Sequence, residues 1–161
     1  MAALDGPAPR IVHLLEVPEA RPLLVRWFIE AWRPWYGPEG KGDAAADLAA
    51  CRDRDRIPLC LVALDAHGQP LGTAGLKADS LGSELGHEPW LAAFLVAEER
   101  RGCGIGRALI EAIAAEARCL GHGALYTSTE IGPERLWPRG WQPVGASQSL
   151  RGPVSVYRLL L

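Results

Sequence analysis

The sequence has no excess of either charge and no long hydrophobic run. Its 161 residues include 17 Lys and Arg against 19 Asp and Glu, a formal net charge of −2. A nucleic-acid partner normally requires a basic face, and the near-balance of charge gives no support for one. No stretch approaches the roughly 18 apolar residues of a membrane helix. We therefore expect neither a nucleic-acid nor a membrane partner.

The sequence also lacks cysteine pairs at metal or redox spacing and a secretion signal. Cys51, Cys60, Cys103 and Cys119 are scattered along the chain. None of them forms a pair at the spacing of a zinc or redox motif. Residues 1–10 do not show a basic start followed by an apolar run, which is the pattern of a signal peptide. These absences predict a cytoplasmic protein with reduced thiols and no metal.

What is present fits one folded α/β domain over residues 1–161. The chain is 48% hydrophobic and 22% charged, and its length is enough to bury a real core. Apolar periodicity predicts the order β-α-α-β-β-β-α-β-α-β-β. The predicted strands are 10–17, 57–65, 70–78, 90–96, 124–129, 140–146 and 154–161. The predicted helices are 22–32, 43–56, 105–120 and 133–139, with loops at 33–42 and 79–89.

Three local patterns carry these assignments. Strands 57–65 and 70–78 are separated by a short segment with a glycine, which favours an antiparallel hairpin. Strand 90–96 (WLAAFLV) is almost wholly apolar, as expected of a central strand covered on both faces. The helix from residue 105 has one apolar face and is followed by Gly121, a typical helix terminator.

A glycine-rich turn, residues 101–107 (RGCGIGR), joins strand 90–96 to this helix. Backbone N–H groups at a helix start have no partners inside the helix, and the helix dipole favours negative charge there. The glycines let the backbone approach a ligand closely, and Arg101 and Arg107 add positive charge. Arg107 stands where a dinucleotide fingerprint needs its third glycine, and no Gly-Lys-Ser or Gly-Lys-Thr occurs. The turn therefore predicts a phosphate site of another kind.

These residues resemble a known family. Arg101-x-x-Gly104-x-Gly106 matches the R/Q-x-x-G-x-G/A signature of the GCN5-related N-acetyltransferases (GNAT). The wider run VAEERRGCGIGRALI, residues 96–110, is similar to the strand-turn-helix core of that family. The segment LWPRGW, residues 136–141, resembles a family segment that ends in Gly-Trp or Gly-Phe. The predicted element order also matches the family fold along nearly the whole chain.

The resemblance implies a mixed sheet, flanked by about four helices, in which strands four and five splay apart and hold the pantetheine arm of acetyl-CoA. A backbone N–H near Leu95 would stabilise the oxyanion. The implied donor-binding residues are Phe94, Leu95 and Val96 for the pantetheine, Arg101, Gly102, Cys103, Gly104, Ile105, Gly106 and Arg107 for the pyrophosphate, and Trp137 packed against the cofactor.

Direct attack by an amine requires a general base, and the candidates before strand 90–96 are Glu84, His87 and Glu88. Glu88 is the first choice because it immediately precedes the strand. Some relatives place a glutamate eleven residues before the motif, where this chain has Trp90. Many relatives also have a tyrosine that protonates the departing thiolate, and the segment before residues 140–141 contains none. The base and the acid therefore stay open.

Two further sets of residues have alternative interpretations. Trp32, Trp35 and Tyr36 cluster where relatives border the acceptor pocket, and aromatic walls suit an amine. Aromatic residues at a helix end are equally often core residues. Cys103 lies beside a helix N-terminus, which can activate a thiol, but it occupies a variable position of the motif where only its backbone is used.

The sequence therefore predicts an acetyl-CoA-dependent N-acetyltransferase that acts on a primary amine of a small molecule or peptide. The alternative is a non-catalytic acyl-CoA-binding module with the same fold. Transfer of a longer acyl group, or transfer to a hydroxyl, is a third reading. The sequence leaves the oligomeric state open, a homodimer included.

Overall fold

A computed structural model describes residues 7–132 and 135–161. These residues form one seven-stranded mixed sheet in the order β1-β2-β3-β4-β5-β7-β6. Neighbouring strands are antiparallel except β4 and β5, which are parallel. The strands are β1 (Arg10–His13), β2 (Leu59–Leu64), β3 (Pro70–Lys77), β4 (Trp90–Val96), β5 (Ala124–Thr129), β6 (Gln142–Ser149) and β7 (Gly152–Leu160). The helices are α1 (Arg21–Ala31), α2 (Arg33–Tyr36), α3 (Ala44–Ala49) and α4 (Ile105–Cys119).

Helices cover both faces of the sheet, and β2 shows this most simply. All six of its residues are buried, and successive side chains point to opposite faces. Leu59, Leu61 and Ala63 pack on the side of α4, whereas Cys60, Val62 and Leu64 pack on the side of α1 and α3. Full burial of a leucine or valine side chain contributes about 1.5–3 kcal/mol. The predicted mixed α/β fold is confirmed.

The two main helices form for the reasons that the sequence indicates. In α4, Ile105, Leu109 and Ile113 recur every fourth residue and are buried against the sheet. The helix is followed by Gly121, which has the positive φ of 88° that favours glycine. In α1, Leu24 and Phe28 are buried on the opposite face of the sheet, and proline stands in the first turn.

The structure corrects several predicted boundaries on the N-terminal side. Strand β1 ends at His13, where a 3₁₀ turn begins and the His13 N–H donates to the Glu16 carboxylate at 3.0 Å. The predicted loop 33–42 contains the short helix α2. Asp43 caps α3, because its carboxylate accepts from the Ala46 N–H at 3.0 Å. However, α3 ends at Ala49, because the charged run that follows has no apolar face to bury.

The predicted helix at 133–139 is only partly open to comparison, because residues 133 and 134 lie outside the described part of the chain. Residues 136–140 form bends and turns. Trp137 precedes a proline, and a residue before proline is disfavoured in the α conformation. The described ranges also contain no helix that is long and apolar enough to cross a bilayer.

Candidate active site

Strands β4 and β5 pair at one point and then part. Their ladder contains the single pair Trp90 and Tyr126, and the Tyr126 N–H donates to the Pro89 carbonyl at 3.0 Å. One residue further on, the Thr127 hydroxyl donates to the Leu91 carbonyl at 3.2 Å. A side chain thus takes the place of the next backbone donor of a parallel ladder. The predicted splay between strands four and five is confirmed.

The exposure of β4 follows from this splay. Trp90 and Leu91 are buried, but the strand becomes half-exposed from Ala92 onward, and 37% of Phe94 is accessible. The expectation of a strand covered on both faces is therefore wrong for its second half, because β5 turns away there. An apolar strand with an unpaired edge can bind another extended chain along that edge.

A bulge in β4 changes the direction of its backbone at the same place. Thr73 of β3 pairs with Leu95, whereas Gly75 pairs with Ala92, so β4 has one residue more than β3 between these pairs. Ala93 has a φ of 50°, in the left-handed region that residues other than glycine rarely adopt. The bulge thus places a strained main chain at the inner end of the gap.

The β3–β4 ladder also decides which amides face the gap. The Ala97 N–H donates to the Leu71 carbonyl at 2.9 Å, and residues of an antiparallel ladder alternate between bonded and non-bonded pairs. The Leu95 N–H therefore points toward β3. The N–H groups of Val96 and Phe94 point toward the gap. The expected role of a backbone N–H near Leu95 at the thioester stays a prediction, and the amides of its neighbours Phe94 and Val96 are the ones that this alternation directs to the gap.

The glycine turn follows β4 directly and exposes a helix start. Gly102 and Gly104 have φ values of 77° and 81°. The first hydrogen bond within α4 joins the Ala108 N–H to the Gly104 carbonyl at 3.1 Å, so the preceding N–H groups have no acceptor inside the helix. A Cβ on Gly106 would lie 3.0 Å from the Phe94 ring, so a side chain there would crowd the gap. A bare, donor-rich helix start fits a diphosphate.

Both arginines of the turn are close to the groups predicted to hold the donor. Arg101 Nε donates to the Val96 carbonyl at 3.1 Å. The Arg107 guanidinium stacks over the Trp137 ring at 3.6 Å from its centroid. Glu111 Oε1 accepts from Trp137 Nε1 at 2.9 Å and from Arg107 Nε at 3.3 Å. The structure thus brings Trp137 to the start of α4. The two hydrogen bonds, chiefly that from Trp137, lower the pKa of Glu111.

The three candidate bases have different surroundings. Glu84 is exposed and accepts a hydrogen bond from the Ser147 hydroxyl, which lowers its pKa and weakens it as a base. Glu88 is exposed. The His87 ring stacks on Tyr126 of β5, with 4.4 Å between centroids and 4° between planes. Among the three, only the His87 ring is thereby held against a strand that borders the gap.

The three aromatic residues near α2 lie together, with the Tyr36 ring centroid 6.3 Å from that of Trp32 and 6.5 Å from that of Trp35. Trp32 and Tyr36 pack against the buried Phe28 with centroids 5.1 and 5.8 Å apart, so they belong partly to the core. Trp35 is 45% exposed. Opposite them, Arg151 in the β6–β7 turn donates to the Ala31 carbonyl at the end of α1. The β6–β7 turn therefore reaches across this face of the sheet to α1.

Sequence reasoning missed a polar cluster on the same face. The Tyr36 hydroxyl donates to Asp47 Oδ2 at 2.5 Å, and Lys77 Nζ lies 4.0 Å from the same oxygen. Burial, followed by the hydrogen bond to Asp47, raises the pKa of Tyr36, so the phenol keeps its proton. The three residues belong to three separate elements, and no local spacing in the sequence signals their contact.

An opened parallel strand pair that leads into a glycine turn and a helix is the arrangement that the resemblance predicts for an acetyltransferase. The sequence model of the GNAT acetyltransferase family matches residues 23–135. The chain therefore belongs to the GNAT family, which confirms the predicted N-acetyltransferase class. No curated protein matches the chain.

Solved structures of other acetyltransferases share this fold. A GCN5-related N-acetyltransferase from Kribbella flavida has a TM-score of 0.72 at 24% identity, over 96% of this chain and 98% of that one. An aminoglycoside 6'-N-acetyltransferase complexed with coenzyme A has a TM-score of 0.68 at 15% identity, over 94% and 96%. A nourseothricin acetyltransferase matches over 66% of each chain, with a TM-score of 0.54 and 20% identity.

Proposed function

We propose that this chain, acting as one domain, transfers the acetyl group of acetyl-CoA to a primary amine of a small molecule or peptide. The observation that carries the proposal is the gap between β4 and β5, which leads directly into the unpaired N–H groups at the start of α4. In the gap, the unpaired edges of β4 and β5 can hydrogen bond to the extended pantetheine arm. At the start of α4, the backbone N–H groups can donate hydrogen bonds to the diphosphate.

The chain's own groups fit the donor along its length. The main chain of Phe94 and Val96 holds the pantetheine, and the N–H groups of residues 104–107 hold the pyrophosphate. Arg101 and Arg107 add positive charge beside it, and Trp137 packs at the rim. When bound, acetyl-CoA supplies an activated acetyl thioester. The N–H groups of Val96 and Phe94 polarise its carbonyl.

His87 is our choice for the general base. A base must take a proton from the acceptor's ammonium before the nitrogen can attack, and histidine is the most common residue in that role. The stack on Tyr126 holds the imidazole at the closed end of the gap. Glu84 is the weaker candidate because its carboxylate is already hydrogen bonded to Ser147. The structural relatives named for aminoglycosides and nourseothricin motivate a small amine as the acceptor.

The donor site is tested by calorimetry with acetyl-CoA. A glutamate at position 106 would place a negative charge and a bulky side chain at the helix start, so Gly106→Glu should abolish measurable binding. Gly123→Glu is the matched control, because a Cβ on Gly123 meets nothing within 4 Å. Normal affinity in Gly106→Glu would show that the donor binds elsewhere.

Turnover is tested separately by the release of free CoA from acetyl-CoA in the presence of a panel of amines. Release that depends on one class of amine supports the transferase. Binding of acetyl-CoA without release on any amine would favour the alternative of a non-catalytic acyl-CoA-binding module.

A further inference from the structure

Strand β6 forms one edge of the sheet, and its outer side has no partner in the described part of the chain. On its inner side, β6 pairs with β7 from Gln142 to Ser149. Among the described residues, no hydrogen bond joins the β6 backbone to any element other than β7. The outward N–H and C=O groups of such an edge are a template for another extended strand.

This edge lacks most of the features that keep edge strands unpaired. Natural proteins protect their sheet edges with charged side chains, prolines, bulges or very short strands. Strand β6 has eight residues (QPVGASQS), and none of them is charged. Its only proline is Pro143, and its bulge lies between Pro143 and Gly145, so both features stand at its start. Residues 146–149 have neither.

The opposite edge of the sheet is protected in the expected way. Strand β1 has four residues, and one of them is the exposed, charged Arg10. A 3₁₀ turn begins directly after His13 and ends the strand. Of the two edges, therefore, β6 is the long and uncharged one.

Exposed apolar side chains flank β6. Leu150 follows the strand directly, and 68% of it is accessible. Leu85 is 37% exposed and lies over the strand, because a Cβ on Gly145 would be 2.7 Å from the Leu85 side chain. A partner strand along β6 would cover part of these two leucines, so the edge offers apolar contact as well as backbone hydrogen bonds.

The chemistry of this edge fits a second copy of the same chain. Identical strands repel each other when they carry charge of one sign, but the side chains of β6 carry none. Two charged residues contact the strand, Glu84 at Ser147 and Arg158 at Gln142, and their charges are opposite. An antiparallel pairing about a two-fold axis is self-complementary, because each copy supplies the same strand and the same leucines.

We propose that two copies of this chain pair antiparallel through β6 and join their sheets into one. Hydrogen bonds between the two strands form the ladder, and Leu85 and Leu150 add apolar contact. The association stops at the dimer, because a two-fold pairing uses the β6 edge of both copies and the β1 edge is protected. The proposal does not rest on the proposed function, since it uses no residue of the donor site.

Sedimentation equilibrium of the full chain over a series of concentrations tests this pairing. The wild type should form dimers and no larger species. A lysine on β6 would bring like charges together near the two-fold axis, so Ala146→Lys should raise the dimer dissociation constant about tenfold or more. Ala146 is exposed, so the substitution disturbs no core. Ala45→Lys, at an exposed position of α3, is the matched control and should leave the dimer unchanged.

Opposite charges at the same position provide a second measurement. Ala146→Glu should weaken the dimer as Ala146→Lys does. An equimolar mixture of the two variants should associate more tightly than either alone, because attraction replaces repulsion. Such a gain distinguishes pairing through β6 from misfolding, which no mixture would repair. A monomeric wild type, a dimer that Ala146→Lys does not weaken, or a mixture no tighter than the separate variants would overturn the proposal, as would open-ended association of the wild type.

Discussion

At the scale of residues, single groups mark the place where β4 and β5 part. The Thr127 hydroxyl donates a hydrogen bond to the Leu91 carbonyl at the point where the β4–β5 ladder stops. Two residues after Leu91, Ala93 adopts a positive φ. Strain of this kind costs about 1–3 kcal/mol and is found mainly at functional sites. The stacked pair of His87 and Tyr126 lies at the same junction, which places an imidazole where the proposed reaction needs a base.

We predict that His87→Gln lowers kcat about 10²–10⁴-fold, the usual contribution of a general base. The affinity for acetyl-CoA should not change. His67→Gln, in the exposed turn between β2 and β3, is the matched control. An unchanged kcat in His87→Gln would move the role of base to Glu88.

At the scale of elements, α4 and the segment 135–141 are joined by a charged contact. Trp137 and Arg107 both donate to Glu111, and these bonds lower the pKa of that carboxyl below its ordinary value. A carboxyl with a lowered folded-state pKa favours folding above the unfolded value, and the effect is lost as the pH falls through the folded pKa. The contact therefore stabilises the segment at neutral pH and weakens in acid.

We predict that Trp137→Phe, which keeps the ring but removes the donor, destabilises the protein at pH 7 and has a smaller effect near pH 3. The measurement is the free energy of unfolding by denaturant at both values. Trp141→Phe is the control, because Trp141 Nε1 donates to the Trp137 carbonyl, which does not titrate in this range. The same pH dependence in both variants would contradict the role of Glu111.

At the scale of the whole molecule, one sheet separates two cores. The core under α4 and the core under α1 and α3 share β2, whose buried side chains alternate between them, so neither can lose its packing without exposing that strand. The proposed donor site depends on this arrangement, because the gap lies where β4 leaves β5 and the helix that follows the glycine turn packs on one face. We therefore expect the two cores to unfold together.

We predict one cooperative transition, with coincident midpoints by far-ultraviolet circular dichroism and tryptophan fluorescence. Leu61→Ala and Leu64→Ala remove neighbouring leucines from opposite faces of β2 and should each cost about 2–5 kcal/mol. In both variants the two signals should still change together. Two separate transitions in either variant would show that the cores are independent domains.

Local pattern was enough to predict a large part of this protein. The four-residue spacing in α4, the hairpin of β2 and β3, and the glycine turn are each encoded within a few consecutive residues. The sequence therefore determined the fold class and the glycine turn at the start of α4, on which the proposed donor site rests. Tertiary structure alone decided the contacts between distant residues. These include the stack of Arg107 on Trp137 and the cluster around Asp47. The physical reason is that periodicity reports which face a residue occupies within its own element, whereas the partner on that face depends on how elements far apart in the chain pack together.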